Sequence, residues 1–137
     1  MTKPRKMPTF VYDRKQWYAR WHVENGFTFV TLWSTEGCGP VALMWGQLAG
    51  AGRMGVVRYE IFGCFVHEFC RRQGAMTFLL RAVLKDLQAE LVTTQDGTKL
   101  GEQFIRAVGF KQVNGLWMLR RESFQRHWKR KIKDVAW

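Results

Sequence analysis

The sequence has little cysteine, few acidic residues and no long apolar run. Cys38, Cys64 and Cys70 are the three cysteines among 137 residues, and an odd number argues against a disulfide framework. A reduced, cytoplasmic protein is therefore expected. No apolar run approaches the roughly 18 residues of a membrane span, so we expect no membrane partner. No apolar stretch follows the basic N-terminal residues, so we expect no signal peptide.

The shortage of acidic residues leaves a strongly basic chain. Eleven acidic residues stand against 22 lysines and arginines, giving a formal net charge of +11. This charge favours an acidic partner, such as a nucleotide-like cofactor, nucleic acid or an acidic protein surface, without choosing among them. At 47% hydrophobic and 15% aromatic residues, the chain is too apolar for disorder and long enough for one core.

The first 66 residues predict mainly β structure. Residues 13–24 favour a short helix, with Asp13 as N-cap and Asn25-Gly26 as its end. The alternation of Trp17, Ala19, Trp21 and Val23 also fits a strand, and both interpretations stay open. β-Formers predict strands at 27–33, 41–45 and 56–66. Gly63 interrupts the last of these, which indicates a bulge or the close approach of another group.

The second half alternates helices and strands. Apolar residues recur at helical spacing over 76–87: Met76, Leu79, Leu80, Val83, Leu84 and Leu87. A strand at 90–94 follows, and then a second helix with Leu100, Phe104, Ala107 and Val108 on its buried face and Gly109 at its end. Asn114-Gly115 predicts a hairpin. The predicted fold class is α/β (α+β), with a mixed, mostly antiparallel sheet flanked by helices.

The basic turn at 71–76 (Arg-Arg-Gln-Gly-Ala-Met) lies where a strand gives way to a helix. The first N–H groups of a helix have no partner within it, and the helix dipole places partial positive charge there. Arginines beside such a turn add full charges. The turn therefore predicts an anion site, most simply for phosphate.

Residues 66–80, together with Phe104 to Phe110, resemble the GNAT superfamily of N-acetyltransferases. In that superfamily a strand ends in valine, and Arg/Gln-x-x-Gly-x-Gly/Ala then opens a helix; a later helix ends in Gly-Phe before the last hairpin. The likeness covers about 59–121. We take 1–121 as one domain and 122–137 as a basic C-terminal tail.

The resemblance implies acetyl-coenzyme A as cosubstrate and a direct transfer of its acetyl group to an amine of a protein or a small molecule. Phe65 and Val66 would pair with the pantetheine arm. The arginine that begins the motif and the main-chain amides after it would hold the pyrophosphate, at Arg71, Arg72, Gln73, Gly74, Ala75, Met76 and Thr77.

Glu60 occupies the place of a glutamate that serves as general base in the histone-acetyltransferase branch. An attacking amine must lose a proton, which a carboxylate can accept. The alternative is a surface glutamate paired with Arg58. His67 is a second candidate base, and Cys64 a weaker candidate nucleophile.

Three departures from the family pattern motivate a second hypothesis. Met76 replaces a small residue of the phosphate loop, and Ile105 stands where many members have a tyrosine acting as general acid. The N-terminal half is also short where the family has two helices that shape the acceptor site. The alternative function is a catalytically degenerate GNAT-fold protein, of a kind found in bacteriophages, that binds protein or nucleic acid.

Other motifs carry less weight. Cys64, His67 and Cys70 are evenly spaced, but a strand end and its loop rarely converge on a metal, so we assign no metal site. Residues 50–55 match Gly-x-Gly-x-x-Gly but do not join a strand to a helix. The tail, with Trp128 available for stacking, would suit nucleic acid; a protein contact or a solvated surface is an alternative.

Overall fold

The computed structural model describes residues 13–36, 39–50, 56–71, 73–95 and 101–137. These residues form seven strands in one sheet, in the order β1-β2-β3-β4-β5-β7-β6. The strands are β1 (Trp17–Glu24), β2 (Phe27–Ser34), β3 (Pro40–Ala49), β4 (Arg58–Val66), β5 (Leu91–Thr94), β6 (Lys111–Val113) and β7 (Leu116–Arg120). The α-helices are α1 (Ala75–Arg81), α2 (Glu102–Val108) and α3 (Arg121–Lys131). Of the described strand pairs only β4 with β5 is parallel, so the predicted mixed, mostly antiparallel class is confirmed.

The helix predicted over 13–24 is wrong. A single 3₁₀ turn, Arg14–Gln16, is capped by the Asp13 side chain, which accepts from Lys15 N at 3.0 Å, and β1 follows directly. Asn25 and Gly26 have φ of +51° and +80° and join β1 to β2 as a tight hairpin. The alternating aromatic residues of β1 gain a paired strand across this turn, which outweighs the helical N-cap.

The other predicted strands and the first helix occur close to their expected positions. β3 is longer than predicted, and the hairpin of β6 and β7 turns at Asn114 and Gly115. α1 continues as a π-helical turn, Ala82–Asp86. Its predicted inner face is buried at Leu79, Leu80, Val83 and Leu84 and half-buried at Met76 and Leu87.

The predicted inner face of α2 needs correction. Ala107 is exposed, whereas Ile105 and Val108 are buried. Their spacing of three residues defines the inward stripe of this short helix, and Gly109 ends it at φ +109° as expected. Leu100, also assigned to that face, lies outside the described residues.

The helices pack on one face of the sheet. The ring of Phe78 in α1 lies 5.0 Å from Trp17 of β1 and 4.8 Å from Trp128 of α3. α2 ends beside Leu119 of β7, because a Cβ built on Gly109 would lie 3.8 Å from Cδ1 of Leu119. The register places Trp17 and Leu119 on the same face, because side chains alternate along each strand.

The basic segment after residue 121 packs against the rest of the chain. Phe124 and Trp128 are 0% and 1% exposed, and Ile132 joins them in the core. Trp128 Nε1 also donates to Val135 O at 3.0 Å. The suggested stacking of Trp128 on nucleic acid is therefore wrong, because the core already encloses its ring.

A β-bulge separates the two halves of β4. Trp45 pairs with Gly63 but the next residue, Gly46, pairs with Ile61, so Phe62 is the extra residue. A Cβ on Gly63 would lie 2.1 Å from the Trp45 ring, and one on Gly46 would lie 1.9 Å from the carbonyl oxygen of Glu60. The sequence prediction at Gly63 thus holds in both forms, bulge and close approach.

We predict that Gly46→Ala destabilises the protein by about 1–3 kcal/mol, because the new methyl group must displace the β4 backbone. Urea unfolding measures the change. Gly50→Ala is the matched control, since a Cβ there meets nothing within 4 Å. Equal stability of the two variants would contradict the assignment of Gly46 as a close-approach position.

His127 makes stability depend on pH. It is buried on α3, and burial lowers the pKa of its imidazole, with further lowering by Arg130 and Lys131. The folded protein therefore favours the neutral ring. Its contribution is complete above the unfolded pKa of about 6.5 and is lost as pH falls toward the lower folded pKa.

We therefore expect the free energy of unfolding to fall between pH 7.5 and pH 5, values that bracket that unfolded pKa of about 6.5, and the fall to be smaller in His127→Gln. Urea titrations at both pH values measure it. His22→Gln, which changes a largely exposed histidine, should keep the wild-type pH dependence. The same slope in His127→Gln as in wild type would refute the assignment.

Candidate functional site

β4 parts from β5 after the first three of its nine residues. β4 pairs with β5 only from Arg58 to Glu60, whereas its pairing with β3 continues to Val66. The last six residues of β4 therefore extend past the ladder with β5. The sheet opens at this point, on the side where β4 leads into α1.

A cavity of about 250 Å³ lies at the far end of this part of β4, where the chain turns into α1. The end of β4, the turn after it, the start of α1 and one residue of α2 contribute its walls. The lining residues are Val66, Cys70, Arg71, Gly74, Ala75, Met76 and Phe104. Five of them belong to the set that the resemblance assigned to acetyl-coenzyme A.

The remaining assigned residues lie outside this lining. Phe65 is 58% exposed near the end of β4, Thr77 is buried in the first turn of α1, and Gln73 is half-buried in the turn. Arg72 lies outside the described residues. The structure thus brings together Val66, Arg71 and 74–76, and places the other assigned residues beside them in the chain.

Gly74 gives the turn its shape. Its φ of +87° is left-handed, and its carbonyl accepts the first helical hydrogen bond, from Phe78 N at 3.1 Å. A left-handed residue is easiest for glycine, which has no Cβ. The N–H groups of Ala75, Met76 and Thr77 come before any helical acceptor, and the first two of these residues line the cavity.

The departures noted from the sequence occupy different places. Met76 lines the cavity, so its side chain narrows the site. Ile105 is 0% exposed in the core, and the neighbouring Phe104 faces the cavity in its place. Neither side chain has a hydroxyl group that could donate a proton.

Glu60 is the last residue of β4 that pairs with β5. Its neighbours Tyr59 and Ile61 point into the core, so the half-buried Glu60 faces the side of the sheet away from the helices. Gln95 Nε2 donates to Glu60 Oε1 at 3.3 Å. The alternative ion pair with Arg58 is not among the described ion pairs.

Gln95 had no sequence signal as a partner of Glu60. The two residues are 35 positions apart, and only the parallel pairing of β4 and β5 brings them together. Phe104 was likewise assigned only to the buried face of α2. Both omissions concern contacts that depend on the packing of distant segments.

The other candidates from the sequence lie near the cavity or the strand before it. His67 is half-buried, and its backbone N–H donates to the backbone carbonyl oxygen of Val41 at 2.9 Å. Burial raises the pKa of the Cys70 thiol, which favours its protonated form. Within the described segments, no group of three or more His, Cys, Asp or Glu side chains is arranged to hold a metal ion. The 50–55 glycine motif lies largely outside the described residues.

The sheet face around Glu60 is partly covered, since Thr93, the β5 partner of Glu60, is 1% exposed. The register aligns Phe29, Trp45 and Gly63 on this face, and the first two side chains are half-buried. The packing contacts of the described helices lie on the opposite face. The exposed cations of α3, such as Arg126, Lys129 and Arg130, are also remote from Glu60 in the chain.

No described helix is long and apolar enough to cross a membrane.

Comparisons with known proteins agree with this geometry. The Acetyltransferase (GNAT) family model matches residues 3–110. Apo FdhC, a nucleotide-linked sugar GNAT, matches with a TM-score of 0.61 at 8% identity over 80% of this chain and 66% of that one. A mutant of the spermidine N-acetyltransferase SpeG from Vibrio cholerae matches with a TM-score of 0.50 at 10% identity, over 74% and 68%. A search of curated proteins found no significant match.

These structural matches establish the fold, and the chain spans slightly less than two thirds of FdhC. The family assignment comes from the sequence model, which covers well over half of the chain. The protein belongs to the GNAT family of acetyltransferases.

Proposed function

We propose that the protein transfers the acetyl group of acetyl-coenzyme A to a primary amine. The observation that carries this proposal is the cavity between the end of β4 and the basic turn of α1, on the same strand whose ladder with β5 ends at Glu60. Family membership supports acyl transfer in general. The cosubstrate and the amine are the ones that the family resemblance implies, and the residues of the site suit them.

The residues at the turn suit a thioester that carries a pyrophosphate. The amides that open α1 and the exposed guanidinium of Arg71 are ordinary phosphate ligands. Phe65 and Val66 would pair with the amide groups of the pantetheine arm, as an added strand would. This arrangement directs the thioester along β4 toward the point where it meets β5.

Glu60 would accept the proton of the amine. The amine nitrogen attacks the thioester carbonyl, the C–N bond forms, the C–S bond breaks, and the ammonium proton passes to Glu60 directly or through water. Main-chain N–H groups of β4 would stabilise the oxyanion. Since Phe104 and Ile105 carry no acid, coenzyme A would leave as thiolate and take up its proton from water.

The test combines binding with turnover. Calorimetry at low salt should detect binding of coenzyme A, and a thiol-release assay should detect transfer to spermidine or to a lysine-containing peptide. Glu60→Gln should lower kcat by about 10²–10⁴-fold and leave coenzyme A affinity unchanged. Glu24→Gln, on another strand and the same sheet face, is the matched control. No affinity for acetyl-coenzyme A or coenzyme A would overturn the proposal.

The narrowing of the cavity by Met76 generates a separate prediction. Met76→Ala should bind coenzyme A more tightly than wild type, by a few-fold, because a smaller side chain opens the space beside the turn amides. Calorimetry measures this change. Leu87→Ala, which shortens a half-buried residue beyond the same helix, controls for general loosening. Weaker binding in Met76→Ala would show that the methionine contacts the ligand favourably.

A binding protein without turnover is the second candidate. The apolar Phe104 in the cleft and the intrusion of Met76 favour it. It predicts no acetyl transfer to any amine tested and a protein or nucleic-acid partner whose capture survives Gly74→Glu. Acetyl transfer that disappears in Glu60→Gln would exclude it.

A further inference from the structure

Arg14 lies against the turn that opens α1. A Cβ on Gly74 would be 3.4 Å from Arg14 Nη1, so the guanidinium touches the left-handed residue of the turn. The other terminal nitrogen, Nη2, donates to Asp134 Oδ1 at 3.0 Å. An arginine from the segment before β1 and an aspartate from the segment after α3 therefore meet beside the turn.

Core packing holds both segments in place. Arg14 lies three residues before Trp17, whose ring contacts Phe78 of α1. Asp134 follows α3, whose Trp128 contacts the same Phe78. Phe78 lies one helical turn after Gly74, and its backbone N–H donates to the Gly74 carbonyl. Buried aromatic contacts thus anchor the segments that carry Arg14 and Asp134, and the ion pair between them orients the guanidinium, which lowers the cost of ordering it around a ligand.

Stability alone is a weak reason for this arrangement. The side chains of Arg14 and Asp134 are 30% and 38% exposed. An ion pair at such exposure contributes at most about 1 kcal/mol. In contrast, a guanidinium is well suited to phosphate because its planar N–H groups match two phosphate oxygens.

We infer that Arg14, oriented by Asp134, binds the pyrophosphate of the acyl-coenzyme A, an inference that rests on the proposed function. Asp134 holds Nη2, and Nη1 lies beside Gly74, a residue that lines the cavity. Arg14 and Arg71 then contribute cations from two different segments of the chain. A binding role for the residues before β1 follows, although they lie outside the motif that resembles the family.

The experiment measures coenzyme A affinity by calorimetry for wild type and three variants. Arg14→Gln should weaken binding about tenfold, the value of one charged hydrogen bond at a partly exposed site. Lys15→Gln removes the same charge from the next residue, which is exposed, and should change affinity by less than about threefold. Asp134→Asn keeps an oxygen acceptor for Nη2 and should also stay within about threefold.

A second ligand locates the contact. Dephospho-coenzyme A lacks the 3′-phosphate and keeps the pyrophosphate, so Arg14→Gln should weaken its binding by the same factor. A loss seen only with coenzyme A would overturn the assignment to the pyrophosphate. Thermal unfolding of each variant separates binding from folding: a purely structural role predicts that Arg14→Gln and Asp134→Asn lose stability and affinity together.

The outcomes distinguish the two proposals. If wild type binds neither coenzyme A nor acetyl-coenzyme A, the proposed function fails and this inference fails with it. If wild type binds and Arg14→Gln binds equally well, the inference alone fails. A tenfold loss confined to Arg14→Gln, with its unfolding midpoint kept, supports it.

Discussion

The contact of β3 with β4 at Gly46 determines where the sheet opens. Because Gly46 has no side chain, the carbonyl of Glu60 can lie where a Cβ would be. The Tyr59 ring passes over the same glycine, and its hydroxyl donates to Thr28 O at 2.9 Å on β2. Directly after this contact β4 takes up its extra residue. A bulge bends a strand and increases its twist. The bend at Phe62 therefore directs the rest of β4 away from β5, just after their ladder ends at Glu60.

The position of Glu60 and the separation of β4 from β5 therefore both depend on the same stretch of β4. Glu60 is the last residue in register with both neighbouring strands, and the bulge begins within two residues of it. The carboxylate is held by a regular ladder, whereas the residues after it extend past β5. A proposed base whose backbone lies in a regular ladder suits a reaction between two bound molecules, since attack depends on fixed relative positions.

The sequence predicted the parts of this site that depend on local chemistry. Asn114-Gly115, Gly109 and the turn before α1 were recognisable because each requires a particular backbone geometry, and Gly63 indicated the bulge. The start of the chain was mispredicted because the strand pattern of Trp17 to Val23 needs β2 as a partner. The positions of Phe104 and Ile105 in α2 depend on the rotation of a two-turn helix, which Gly109 alone does not define. The contacts of Gln95 with Glu60 and of Arg14 with Gly74 join distant segments and have no local signature.

In the proposed reaction, the residues for the cofactor and the proposed base lie on opposite faces of the sheet. The helix face carries the buried aromatic core, the basic turn and Arg14, all suited to a ligand that is anionic at one end and apolar along its arm. The opposite face carries Glu60, Gln95 and half-buried aromatic side chains such as Trp45. A two-residue turn joins β1 to β2, so no helix enters between these strands. An acceptor amine approaching Glu60 from this face would reach the thioester through the gap between β4 and β5, without crossing the phosphate site.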